Sequence, residues 1–540
     1  MTFNWHNPYH TPRTPVFARN VVSTSHPLAA QAGQQILLAG GNAVDAAIAT
    51  AAALTIVEPV SNGLGSDAFA LVWADGQLHG LNASGPAPNA WDVNYFRRRY
   101  GDDGNGLANR PQRGWDTVTV PGAVAGWEAL HRRFGKLPFA QLLQNAIALA
   151  QRGVTLAPMV ARKWQAAVPA LENQPGFSSV FMPGLRAPQT GELFRFPAAA
   201  KALRLLADQG ARAFYEGEIA DATVRWAQQH GGSLTHQDLA NYQPEWVTPL
   251  SQRYRGYDVH EIPPNGQGIA ALIALGILEH FDLASLALDG VDAQHLQIEA
   301  MKLAFADVYR YVADPKSMEL TPQQMLDSGY LKQRAAQIDL TRASTPAAGI
   351  PRSGGTVYLT TADENGMMVS FIQSNYMGFG SGVVVPEFGI SLQNRGAGFS
   401  SDPRSANVVE PGKRPFHTII PAFLTKDGQP QMSFGVMGGD MQPQGHVQTL
   451  VRMLDFNQQP QAACDAPRWK VNRDFTLDLE SGFDPAVKQQ LQARGQRLKS
   501  VDDPYMDFGA GQFIWRLSDD ADHGYVAASD SRRDGLAIGF

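Results

Sequence analysis

The sequence holds one cysteine, Cys464, in 540 residues. That excludes an intrachain disulfide framework and any cysteine-cluster zinc site. Cys464 itself, just ahead of Asp465-Ala466-Pro467 at a helix end, reads as a packing residue. Charge is sparse too: 17% of residues are charged, the net charge is −6 and the pI is near 6.1. With no basic block to neutralise phosphates, nucleic acid is not an expected partner. The longest apolar run, Ala46 to Val57, falls short of the ~20 residues that span a bilayer, so no membrane partner is expected. The opening Met1-Thr2-Phe3-Asn4-Trp5-His6 lacks a basic start and an apolar stretch, which predicts no secretory signal and a cytoplasmic location. What the chain does have is apolar material, 44% hydrophobic and 9% aromatic, enough for a sizeable core.

Residues 1–20, rich in Pro, His and Asn, read as an extended arm. A short strand at 21–27 leads to an Ala-rich helix over 28–38 that stops at Gly40-Gly41. Asn42 caps a second helix over 43–57 with Asp45 in its first turn. Strands at 67–73 and 77–82 follow, joined at Asp75-Gly76. From about 123 to 345 the apolar spacing is helical. Residues 340–355 are rich in Pro, Gly, Ser and Thr without periodicity and predict a flexible linker. At Thr356 strands resume: 356–362 and 367–374 flank Asp363-Glu364-Asn365-Gly366, a strong hairpin signal. Further strands are expected near 389–392, 431–436, 513–517 and 524–528, with a helix at 448–454, giving a body of interleaved helices and sheets.

Common catalytic motifs are absent or out of context. Gly378-Phe379-Gly380-Ser381-Gly382 has phosphate-loop spacing but is followed by Val383-Val384-Val385-Pro386, which starts no helix. His295 and Glu299, four apart on a helix, read either as metal ligands or as an ordinary polar pair, and no metal or organic cofactor is implied. The informative feature is Gly354-Gly355-Thr356, where a slack linker meets a strand. It is either a plain loop-to-strand junction or the site of a self-cleavage that makes Thr356 a new amino terminus. In the second case the freed amine serves as general base for the threonine hydroxyl. Hairpin arithmetic pairs Thr356 with a residue between Gln373 and Asn375, which sets Ser374 beside it. Gly438-Gly439 after a strand reads as a turn or as two backbone donors of an oxyanion hole.

The sequence resembles the gamma-glutamyltranspeptidase family of N-terminal nucleophile hydrolases over nearly its full length. The resemblance rests on Gly40-Gly41-Asn42-Ala43-Val44-Asp45-Ala46-Ala47, Glu58-Pro59 leading to Gly63-Leu64-Gly65, Val120-Pro121-Gly122-Ala123 and Phe214-Tyr215-Glu216-Gly217. It extends through Asp238-Leu239-Ala240-Asn241-Tyr242, Lys302-Leu303-Ala304-Phe305-Ala306-Asp307, Phe379-Gly380-Ser381-Gly382 and Lys413-Arg414-Pro415. It implies an α+β fold, a four-layer αββα sandwich built from two autoproteolytic fragments. Residues 1–355 form the large subunit and 356–540 the small one, a heterodimer that can dimerise again. It makes Thr356 the nucleophile, Gly355–Thr356 the scissile peptide, Ser374 the second hydroxyl, and Gly438 and Gly439 the oxyanion pair.

Departures from the family pattern bear on the substrate. Where transpeptidases carry an Arg-Glu-x-Ala-Pro carboxylate clamp this chain has Ser84-Gly85-Pro86-Ala87-Pro88, and where they carry acidic ammonium ligands it has Gly396-Ala397-Gly398-Phe399. His417-Thr418 replaces a Ser-Ser pair and Tyr376 an asparagine. A zwitterionic glutamyl head would leave charges unpaired, so weak or absent γ-glutamyl transfer is expected. Arg395 is either the fork for a substrate carboxylate or half of a structural ion pair. Gln393, Asn394, Tyr376, His417 and Thr418 are candidates to complete its pocket. The blocks around 373–382 and 393–399 look most like the oxamate amidohydrolase branch, which implies hydrolysis of oxamate to oxalate and ammonia in purine degradation. The alternatives are a cephalosporin or glutaryl acylase, a glutathione hydrolase, or an uncut, non-catalytic binding protein.

Overall fold

A computed structural model describes residues 13–101, 109–346, 355–499, 501, 508–519 and 521–540. Most of the expected arm and half of the expected linker, residues 347–354, lie outside those residues.

Two seven-stranded antiparallel sheets lie face to face. The first runs Leu536–Gly539, Val21–Thr24, Gly355–Ala362, Met368–Tyr376, Asp67–Ala74, Gln77–Ala83 and Glu245–Val247. The second runs Val16–Ala18, Tyr525–Ser529, Ala510–Arg516, Gln429–Met437, Ala422–Lys426, Tyr257–Glu261 and Leu250–Tyr254. The strands at the centre of each sheet carry apolar residues on both faces, as a sheet covered on both sides requires. Three cores result. One, with Phe69, Tyr358, Ile372, Phe423 and Ile514, lies between the sheets. A second packs the outer face of the first sheet against helices Ala43–Val57 and Phe139–Arg152, and a third packs the second sheet against Ile269–Leu278, Val291–Tyr311 and Met441–Leu454. The order helix, sheet, sheet, helix is the expected αββα sandwich.

Local signals explain most boundaries. Asn42 and Asp45 form a reciprocal capping box at the start of Ala43–Val57, whose fifteen residues are all buried. The stretch 123–345 is less uniformly helical than its texture predicts. Leu250–Tyr254 and Tyr257–Glu261 form a hairpin on one edge of the second sheet, and Glu245–Val247 caps the edge of the first. Their turn is Arg255-Gly256, both at positive φ, and their runs of five residues each are too short to stand out from the helical texture around them. Among the described residues no helix is long and apolar enough to cross a membrane.

Candidate active site

Thr356 opens the strand Gly355–Ala362 in the middle of the first sheet, where it is buried. Gly355 pairs with Tyr376 and Val357 with Gln373, so the ladder slips at Thr356 and leaves Ser374 and Asn375 opposite it. This local bulge in the 368–376 strand re-aims side chains at the strand end. The Thr356 hydroxyl donates to Ser374 Oγ at 3.3 Å, and Ser374 Oγ also accepts from the Tyr376 N–H at 2.8 Å. Tyr376 has φ 79°, a left-handed conformation that turns the chain out of the sheet immediately beyond the hydroxyl pair.

The facing sheet supplies the next element. Thr360 and Ser433 share a hydrogen bond between their hydroxyls across the interlayer space. A Cβ at Gly435 would meet the Tyr358 ring at 2.4 Å, so only glycine lets the layers approach this closely. Counting by twos along both strands from these contacts sets Thr356 towards Met437 and the Gly438-Gly439 turn that follows it. Both glycines have positive φ, 125° and 61°, and their carbonyls accept from Met441 and Gln442 in the first turn of the helix Met441–Leu454. The helix amino end therefore adds partial positive charge beside the two amides.

Arg395 is 1% exposed, and its NH1 donates to Thr418 Oγ1 at 2.9 Å. Its Nε and NH2 have no hydrogen-bond partner among the described residues, and its guanidinium lies 4.8 Å above the Tyr376 ring. Burial lowers its pKa to about 10 in spite of Asp67 and Tyr376, which favour its charge. Asp67, the ladder partner of Ser374, accepts from the Gly122 N–H and from His417 Nε2, both at 3.1 Å. Burial pushes its carboxyl up to about 7 against the opposing pull of Arg395 and two backbone amides. His417, buried and next to Arg395, is held well below the usual imidazole range and is neutral. Gln267 Nε2 bridges the carbonyls of Thr418 and Gly439, tying the arginine's support to the glycine turn. Asn394 accepts from the Met377 N–H and donates to the Gln112 carbonyl, while Gln393 Oε1 accepts from the Arg395 N–H. Both amides thus brace the loop that carries Arg395.

A sequence model of the family described as Gamma-glutamyltranspeptidase matches residues 29–540. The chain belongs to the gamma-glutamyltranspeptidase family. This family member is an N-terminal nucleophile type hydrolytic enzyme. It is 36% identical to the glutathione hydrolase-like YwrD proenzyme of Bacillus subtilis, covering 97% of this chain and 98% of that one. It is 35% identical to the oxamate amidohydrolase proenzyme of Klebsiella pneumoniae, covering 95% and 97%. Among solved structures, the cephalosporin acylase from Bacillus halodurans superposes with TM-score 0.94 at 48% identity, over 100% of this chain and 99% of that one.

Several residues at this site in the family member escape a reading of the sequence. Asp67 and Gln267 lie some 300 and 90 residues before the threonine, and only the folded sheets join them to it. Asp440 follows the glycine pair directly, which was the one available signal, and its carboxylate is gripped by Arg473 from the turn between Trp469–Val471 and Leu477–Leu479. Burial works against the Arg473 charge, but Asp440 outweighs it and holds the guanidinium above its ordinary value. His295 and Glu299 take the ordinary alternative: His295 Nε2 meets the Asp339 carbonyl and Glu299 pairs with Lys302 at 2.9 Å. No cluster of three or more potential metal ligands occurs among the described residues. Cys464 is buried against the Gly511 carbonyl, as a packing residue would be.

Proposed function

We propose that the protein cuts itself before Thr356 and then hydrolyses a small anionic amide, with oxamate to oxalate and ammonia as the leading substrate. In the first step Thr356 Oγ attacks the Gly355 carbonyl, the peptide C–N bond breaks, and the acyl group passes to oxygen. Water then cleaves the ester to a Gly355 carboxylate and a free Thr356 amine. In turnover that amine takes the hydroxyl proton as Oγ attacks the substrate carbonyl. Gly438 and Gly439 receive the oxyanion, each such donor being worth ~3 kcal/mol of barrier. Collapse expels ammonia with the proton from the amine, and water resolves the acyl-enzyme. Ser374 orients the nucleophile by accepting its hydroxyl in the resting state.

The observation that carries the substrate class is Arg395, a buried cation with two unused donors. Unpaired buried donors cost free energy, and a carboxylate fork satisfies both at once. One carboxylate and no ammonium suits oxamate. The likeness to a cephalosporin acylase favours a second reading, a longer acyl amide whose carboxylate reaches the same arginine.

Purified enzyme should be assayed for released amine with oxamate, a glutaryl amide and glutathione in parallel. Turnover of oxamate above the other two supports the leading substrate, and preference for the glutaryl amide moves the assignment to the acylase reading. Thr356→Ala is expected to leave one uncut 58.5 kDa chain without activity. Two fragments from that variant would refute the nucleophile.

A further inference from the structure

The reaction as written leaves Arg473 and Asp440 without a task, although both border it. Arg473 uses Nε and NH2 together on the two Asp440 carboxylate oxygens, a bidentate pair whose side chains are 12% and 6% exposed. Asp440 is the residue that joins Gly439 to the helix Met441–Leu454. The same guanidinium lies 5.7 Å over the Tyr309 ring. One side chain therefore ties the glycine turn at the end of Gln429–Met437 to the turn between Trp469–Val471 and Leu477–Leu479.

We propose that Arg473 is a positioning residue: through Asp440 it fixes the Gly438-Gly439 turn, so that the oxyanion donors hold their geometry towards the nucleophile. The proposal rests on the reading of Thr356 and the glycine pair given above. A role as a second substrate clamp fits less well. Arg473 is already matched by a carboxylate on two bonds, whereas Arg395 has no acidic hydrogen-bond partner among the described residues. A fork also has a reason to be arginine here, since lysine offers a point charge and cannot hold both oxygens of Asp440 in a fixed plane.

The test compares Arg473→Met, Arg473→Lys, Asp440→Asn and the double variant Arg473→Met/Asp440→Asn, with oxamate and glutaryl-p-nitroanilide as probes. Misplacement of catalytic groups by about 1 Å costs on the order of 100-fold in rate, and that loss is expected in kcat for Arg473→Met, with KM within about threefold. Arg473→Lys should recover part of it. The double variant should be no worse than the poorer single one, because the pair acts as a unit. A rise in KM at unchanged kcat, or losses that multiply, would overturn the proposal. If Arg473→Met does not fold, Arg473→Lys and Asp440→Asn carry the same kcat-against-KM comparison with the shape of the pair retained. Failure of the underlying reading is distinguishable, since it would appear as activity surviving in Thr356→Ala.

Discussion

Arg395 and Asp67 face each other's charge in a space closed to water, and each is displaced from its ordinary ionisation by burial first. A charge-assisted hydrogen bond to a buried cation contributes about 1.5–3 kcal/mol, so Arg395→Met should raise KM for oxamate roughly 10- to 100-fold. A neutral amide such as acetamide should be affected far less, and equal effects on both would remove the carboxylate from this arginine. Asp67 carries a separate, pH-dependent expectation. Its carboxyl lies at about 7 in the folded chain against 3.8 for the free group, so the folded state keeps a proton that the unfolded chain has lost. Stability from this group is complete below about pH 4 and is lost as pH rises through about 7. The difference in unfolding free energy between wild type and Asp67→Asn should therefore fall from pH 4 to 7 and level off above. A difference that grows with pH would contradict the raised carboxyl.

Among the elements, the hairpin of Gly355–Ala362 and Met368–Tyr376 does most to build the site, and its closeness to the second sheet depends on Gly435. A methyl there would overlap the Tyr358 ring, whose hydroxyl is bonded to Ser370 at 2.6 Å and cannot simply swing away. Gly435→Ala is expected to cost about 1–3 kcal/mol, read by urea unfolding, and to lower activity by parting the glycine turn from the threonine strand. Tyr358→Leu in the same chain should restore part of the stability. This hairpin was legible in the sequence because its turn, Asp363-Glu364-Asn365-Gly366, and its alternation are local, and the register of Thr356 against Ser374 follows from them. The strands Leu250–Tyr254 and Tyr257–Glu261 were not, because five-residue runs in a stretch dominated by helical spacing give periodicity too little to work on. The same limit separates the site residues. The candidates Thr356, Ser374, Gly438 and Gly439 stand out through neighbours in sequence, whereas Asp67, Gln267 and Arg473 come near them only through sheet pairing and side-chain bonds that span long separations.

At the scale of the whole molecule, position 355 divides the strands in a way that bears on what a cut there would do. In the first sheet the Val21–Thr24 strand lies between Leu536–Gly539 and Gly355–Ala362, and the Asp67–Ala74 strand lies against Met368–Tyr376. In the second sheet Val16–Ala18 pairs with Tyr525–Ser529 at one side, and Ala422–Lys426 with Tyr257–Glu261 at the other. Neither fragment contains a complete sheet, and the core between the sheets draws on both, with Phe69 and Ile262 from the one and Tyr358, Phe423 and Ile514 from the other. Cleavage would thus leave the fold intact by its buried apolar area and ladder bonds, while removing the covalent link that makes refolding unimolecular. Cut enzyme should migrate as one species on a sizing column in native buffer and separate into two only in denaturant. On dilution from denaturant its recovery should rise with protein concentration, whereas uncut Thr356→Ala should refold with a yield that does not improve on concentration. Concentration-independent recovery of the cut form would mean that one fragment folds alone, which strands shared in this pattern do not permit.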